Sequence, residues 1–90
     1  MRIISQDGTM DFPYEISTIF IYPRIENVIA IQSAGDSEVP IIGRYSSKEK
    51  TIKAMEMLRK AWINETVEFT HGIYHRKNVF QFPQDDEIEV

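Results

Sequence analysis

Apolar positions along this chain fall into short runs, then one long helical repeat, then short runs again. "RIIS" at residues 2–5 predicts a strand. The Asp7-Gly8 pair that follows predicts a hairpin turn, because both residues tolerate positive φ. Residues 10–14 are the expected return strand, and Pro13, which has no ladder donor, places it at an edge. "STIFIY" (17–22) and "VIAIQS" (28–33) are rich in β-branched and aromatic residues and predict two strands joined by the turn "PRIEN". In the first of these, Thr18, Phe20 and Tyr22 share one face while Ile19 and Ile21 share the other. Neither face is plainly polar, so this strand is expected at the centre of a sheet or covered on both sides. "AGDSE" (34–38) reads as a loop and "VPIIGRY" (39–45) as a further strand, with Gly43 marking a bulge.

The period then changes. In "YSSKEKTIKAMEMLRKAW", Ser46 is the expected N-cap and Glu49, three residues on, completes a capping box. Ile52, Met55, Leu58 and Trp62 repeat at helical spacing with Ala54 and Ala61 beside them, which predicts one broad apolar face. Glu49, Lys53, Glu56 and Lys60 lie opposite and form two i,i+4 pairs in the favourable order. Residues 64–78 leave three alternatives open: a short strand, a continuation of the helix, or a loop. "VFQF" (79–82) sets Phe80 and Phe82 on one face against Gln81, as in a half-buried strand, and Pro83 ends it. The expected fold is α+β: an antiparallel β-sheet of about four to five strands with one amphipathic helix, over about residues 47–63, packed on one face. Residues 84–90 are expected to leave that fold as an acidic tail.

Ninety residues set a limit of one domain, residues 1–90. The absence of cysteine removes disulfides, thiolate chemistry and Cys-based zinc sites, and fits a cytoplasmic protein. No apolar run approaches the roughly 20 residues needed to span a bilayer, and "MRIISQDGT" lacks the pattern of a signal peptide. The net charge of −4 is unevenly distributed. Residues 1–45 carry three basic and six acidic side chains, 46–77 seven basic and four acidic, and 78–90 four acidic and no basic ones. A basic middle beside an acidic end can neutralise itself within the fold or between two copies. Acidity over the whole chain argues against nucleic acid as the partner.

Candidate chemistry is sparse. His71 and His75 stand four apart, the spacing of helical zinc ligands, but Gly72 lies between them and the glutamate of HExxH is missing. Glu68 is the carboxylate nearest the pair in sequence, and no further ligand is marked. Two loop histidines without a role are the simpler reading, and neither a metal nor any other cofactor is expected. Asp85, Asp86, Glu87 and Glu89 supply oxygens suited to a hard cation, without the glycine and ligand register of a calcium loop. No GxSxG nucleophile and no P-loop occur. Trp62, Tyr74, Phe80 and Phe82 have the π-faces that stack bases, yet their spacing is that of core residues.

Three stretches, "MRIISQDGTMDFPYE", "YSSKEKTIKAMEMLRKAW" and "FQFPQDDEIEV", taken in that order, resemble a family of small proteins of unknown function from phages, prophages and related mobile elements of Firmicutes. They cover about half the chain; residues 16–44 and 63–78 are its variable parts. The resemblance implies a setting, not an activity. The expected function is therefore that of a non-enzymatic accessory protein acting by protein–protein contact, with an unidentified partner or a second copy of itself. The alternative is a small acidic inhibitor whose carboxylates stand in for phosphates on a basic surface. Asp85, Asp86, Glu87 and Glu89 are the candidate partner-binding residues for either.

Overall fold

Ile3 is fully buried at the centre of a strand that holds the two ends of the chain together. In the computed structural model this strand, β1 (Arg2–Ile4), pairs antiparallel with β2 (Asp11–Pro13) and parallel with the last strand of the chain, Val79–Gln81. The structure describes residues 1–63 and 79–90 in full, and the backbone alone of 67–70 and 73–76. A second three-stranded sheet is an antiparallel meander of β3 (Ser17–Ile21), β4 (Val28–Ser33) and β5 (Ile41–Arg44). One helix follows, α1 (Lys48–Ile63), then a hairpin of β6 (Val67–Thr70) and β7 (Ile73–Arg76), and finally β8 (Val79–Gln81). The fold is α+β, as the pattern predicts, but its strands divide among separate sheets. Of the alternatives open for residues 64–78, strand is what the structure shows at 67–70 and 73–76.

β4, not β3, occupies the centre of the second sheet. Val28, Ile29, Ala30 and Ile31 are all buried in sequence, so both faces of β4 are covered. β3 is an edge strand with Thr18 and Ile21 exposed and Ile19 and Phe20 half-buried. A strand with two apolar faces thus lies at the rim, because the residue pattern reports burial and not which strand has two neighbours. The expected bulge is present: Ile29 faces Gly43 and Ala30 faces Ile41, leaving Ile42 as the extra residue. A Cβ on Gly43 would stand 3.1 Å from the Tyr45 ring, so glycine here admits a close neighbour.

The loop after β1 is longer than a two-residue turn. Gly8, at φ +76°, donates to the Ser5 carbonyl, and Ser5 donates to the Met10 carbonyl. Asp7 braces the loop, its Oδ1 accepting from the Ser5 hydroxyl at 2.7 Å and from the Thr9 hydroxyl and amide. These hydrogen bonds to the ionised form, Ser5 first, hold the Asp7 carboxyl at about 2, below its usual 3.8. Pro13 sits in the edge strand β2, where its missing donor is harmless.

The helix begins one residue later than its sequence suggests. Ser47 is the N-cap: its Oγ accepts the Lys50 amide at 3.2 Å, and its carbonyl accepts the Thr51 hydroxyl at 2.9 Å. Ser46 is occupied elsewhere, since its amide donates to Asp85 Oδ1 at 2.8 Å. The apolar face is rotated accordingly. Thr51, Ala54 and Leu58 are buried, Met55 and Met57 pack beside the core, and Ile52 and Trp62 are 39% and 40% exposed. Trp62 therefore belongs to the rim, where its ring meets that of Tyr14 at 4.8 Å. Among the described residues the helix shows a Lys53–Glu56 ion pair at 3.9 Å; the expected pairs Glu49–Lys53 and Glu56–Lys60 are not formed.

One core joins these pieces. Ile3 and Phe82 from the first sheet, Ile29, Ile31 and Ile42 from the second, Ala54 and Leu58 from the helix, and Tyr45 and Ile88 are contiguous. Gln6 stitches the two sheets together. Its amide donates to the Ile42 carbonyl at 2.8 Å, and its side chain bonds both the amide and the carbonyl of Arg44.

Candidate functional site

Two segments distant in sequence, residues 22–27 and residues 85–87, flank the start of α1. On one side stands the turn between β3 and β4, residues 22–27, tied down by the Tyr45 amide donating to the Asn27 carbonyl at 2.9 Å. Asn27 takes φ 59°, a left-handed conformation that asparagine tolerates better than most residues. Between this turn and the first turn of the helix lies an open-sided cleft of about 590 Å³, lined by residues 21–27, Lys48 and Thr51. Its volume is within the usual range for a binding pocket, about 300–1,000 Å³. Ile21 and Ile25 are both about two-fifths exposed along it, and Arg24 and Lys48 add two cations against the single anion Glu26. The Thr51 hydroxyl donates to the Ser47 carbonyl, and the other polar side chains lining the cleft are Tyr22 and Asn27 beside the charged Arg24, Glu26 and Lys48.

On the other side of the helix start lie the four carboxylates singled out in the sequence. They do not form a free tail. Residues 85–87 make a 3₁₀ turn, and Ile88 behind it is buried at 4% exposure. Asp85 points back to the helix: its Oδ1 accepts the Ser46 amide, and the Lys50 ammonium reaches both its carbonyl, at 2.8 Å, and its Oδ2, at 3.4 Å. Hydrogen bonding from the Ser46 amide, helped by the Ser46 and Lys50 side chains, holds the Asp85 carboxyl below its usual range against the opposing effect of desolvation. Glu87 Oε1 accepts the Gln84 amide at 2.8 Å, closing the turn on itself. Asp86 and Glu89 remain exposed with no described partner. The four acids therefore separate into an anchor (Asp85), a brace (Glu87) and two presented charges.

Below the turn, the Tyr45 hydroxyl donates to the Pro83 carbonyl at 2.9 Å. Burial, with the charges of Asp85 and Glu87 behind it, pushes this phenol well above its usual range, so it stays a neutral donor. Among the described residues no three His, Cys, Asp or Glu side chains gather as a metal site. The histidine pair lies outside the described residues, His71 entirely and His75 in its side chain. No described helix is long and apolar enough to cross a membrane.

The sequence pointed to the acids and overlooked the cleft. "PRIEN" has the composition of a turn, and Ile25 within it was the available signal: an isoleucine at the tip of a turn has little to bury against. Compared with known proteins, the chain matches no family model, no curated protein and no solved structure.

Proposed function

We propose that this chain is a non-enzymatic accessory protein of a phage or mobile element, acting in the cytoplasm by contact with another protein. The setting rests on the resemblance of its start, helix and ending to small proteins of such elements. The contact rests on one observation: the cleft beside the helix start exposes Ile21 and Ile25, and its turn is tied at both ends by backbone hydrogen bonds, Tyr22 to Val28 and Tyr45 to Asn27. A preformed surface loses little conformational freedom on binding, so more of its contact energy appears as affinity. The occupant best matched to it is an apolar segment with a carboxylate at its flank, facing Arg24 and Lys48.

The acidic-inhibitor reading has its own support in the 3₁₀ turn, which fixes Asp86 and Glu89 outward while Asp85 and Glu87 secure it. Affinity capture from a host carrying the element, run with the unaltered protein, Ile25→Glu and Asp86→Asn/Glu89→Gln, separates the two. Loss of a partner with Ile25→Glu alone, and retention as salt is raised, supports contact through the cleft. Loss with the acid-neutralised variant and on raising salt supports the inhibitor. A partner retained by both variants would mean that neither surface is used.

A further inference from the structure

Open strand edges carry unpaired amides and carbonyls, and proteins guard them with prolines, charges, short strands or covering segments. The two three-stranded sheets have four outer edges, and three are guarded. β5 is covered by Gln6, which bonds Ile42 and Arg44. β2 contains Pro13 and the Arg2–Asp11 ion pair at 2.8 Å. β8 is three residues long and is followed by the buried Pro83. Among the described residues β3 shows none of these devices along residues 18–21: it is five residues long, "STIFI", without a charge or a proline. Among the described residues no strand pairs with its outer side.

Its free groups can be identified. Tyr22 donates to the Val28 carbonyl, and the Ile16 carbonyl accepts from Ala34, so the even-numbered residues of β3 bond to β4. In an antiparallel ladder the odd-numbered residues then point their amides and carbonyls outward. The Ser17 amide already donates to the Tyr14 carbonyl. The outward donors that remain are Ile19 and Ile21.

We infer that β3 pairs antiparallel with β3 of a second copy about a two-fold axis at Phe20, making one continuous six-stranded sheet. In this register the outward amides and carbonyls of Ile19 and Ile21 satisfy one another, and neither donor depends on a residue outside that pair. Ile19 faces Ile21 of the other copy and exchanges two hydrogen bonds with it, and the reciprocal pair supplies two more. Phe20 then faces its own counterpart in a non-hydrogen-bonded pair, where side chains approach most closely and two aromatic rings pair well. The strand brings no like charges together, and a two-fold contact of this kind closes at the dimer. The inference needs only this chain and does not depend on the partner contact proposed above.

Sedimentation equilibrium over a concentration series, with amide hydrogen exchange on the same samples, tests it. The unaltered protein is expected to reach a dimer as concentration rises. The Ile19 and Ile21 amides should then gain protection with concentration, while Phe20 and Tyr22 are protected throughout. Ile21→Pro removes one outward donor per chain and leaves the bonds to β4 in place, so the dimer should be lost with an unchanged circular dichroism spectrum. Should the proline disturb the fold, Thr18→Lys/Ile21→Lys adds edge charges at two exposed positions and should likewise give a monomer. A protein that stays monomeric at every concentration overturns the inference. So does a dimer whose Ile19 and Ile21 amides exchange freely, or one that survives the double-lysine substitution.

Discussion

At the scale of single residues, the helix start shows how a contact from far along the chain redirects a local signal. Ser46 and Ser47 are equivalent as caps by residue type, and Glu49 favours Ser46. Asp85, 39 positions away, takes the Ser46 amide, and Ser47 is left to accept from Lys50. Ser47→Ala should therefore lower stability by about 0.5–2 kcal/mol, the usual loss for an N-cap, and Ser46→Ala by less, as read from urea unfolding midpoints. Equal midpoints for the two variants would count against Ser47 as the cap. No local motif could have revealed this, because the deciding residue lies in a different part of the sequence. Asp7 is the opposite case, since its three bonds come from Ser5 and Thr9 within two positions on either side. Its folded carboxyl, at about 2, titrates below its ordinary 3.8, so its contribution to stability is present well above 3.8 and is lost as pH falls through 2. The midpoint difference between the unaltered protein and Asp7→Asn should be open at about pH 6 and nearly closed at about pH 2. A difference that is constant with pH would mean that the carboxylate bonds contribute nothing to folding.

Elements were legible where composition alone decides them, and less so where the neighbour decides. β-Branched runs located β3, β4 and β5 to within two residues at either end, and the helical repeat located α1 to within one. Which strand is central depends on pairing, and "STIFIY" carries no mark of having a partner on one side only. The ending shows the same division. "QDDEIEV" has the composition of a solvated tail, yet Ile88 is an apolar residue among acids, and its burial is what turns the segment back onto the core. Deleting residues 84–90 should cost more than the loss of exposed charges. Burial of an isoleucine contributes about 1.5–3 kcal/mol, and the anchoring of Asp85 by Ser46 and Lys50 adds to it. Denaturant unfolding of the truncated chain measures the total. Ile88→Ser should reproduce most of that loss, whereas Asp86→Asn/Glu89→Gln should leave the midpoint nearly unchanged.

For the whole molecule, the decisive feature is that the first and last strands are neighbours. Ile3 faces Phe80 across a parallel pair, the Phe82 amide donates to the Ile4 carbonyl, and Gln6 and Tyr45 both donate to the Pro83 carbonyl. Parallel strands need a long crossover between them, and here the crossover includes the second sheet, the helix and the β6–β7 hairpin. The alternation of "VFQF" announced a half-buried strand but could not say that its neighbour lay 77 residues earlier. Closing so long a loop costs conformational entropy before any contact repays it. The closure must therefore be held by strong burial, and Phe82, 1% exposed and edge-on to Phe80 at 5.2 Å, is the side chain placed to supply it. Phe82→Ala should cost about 3–5 kcal/mol, a large share of the roughly 5–15 kcal/mol that holds a small domain folded. A chain ending at residue 78 loses Phe80, Phe82, Ile88 and the parallel partner of β1 together. It should be unfolded or aggregated by circular dichroism and gel filtration. If it were instead a well-folded monomer, the rest of the chain would hold its own core, and β8 would be a segment docked on a finished domain.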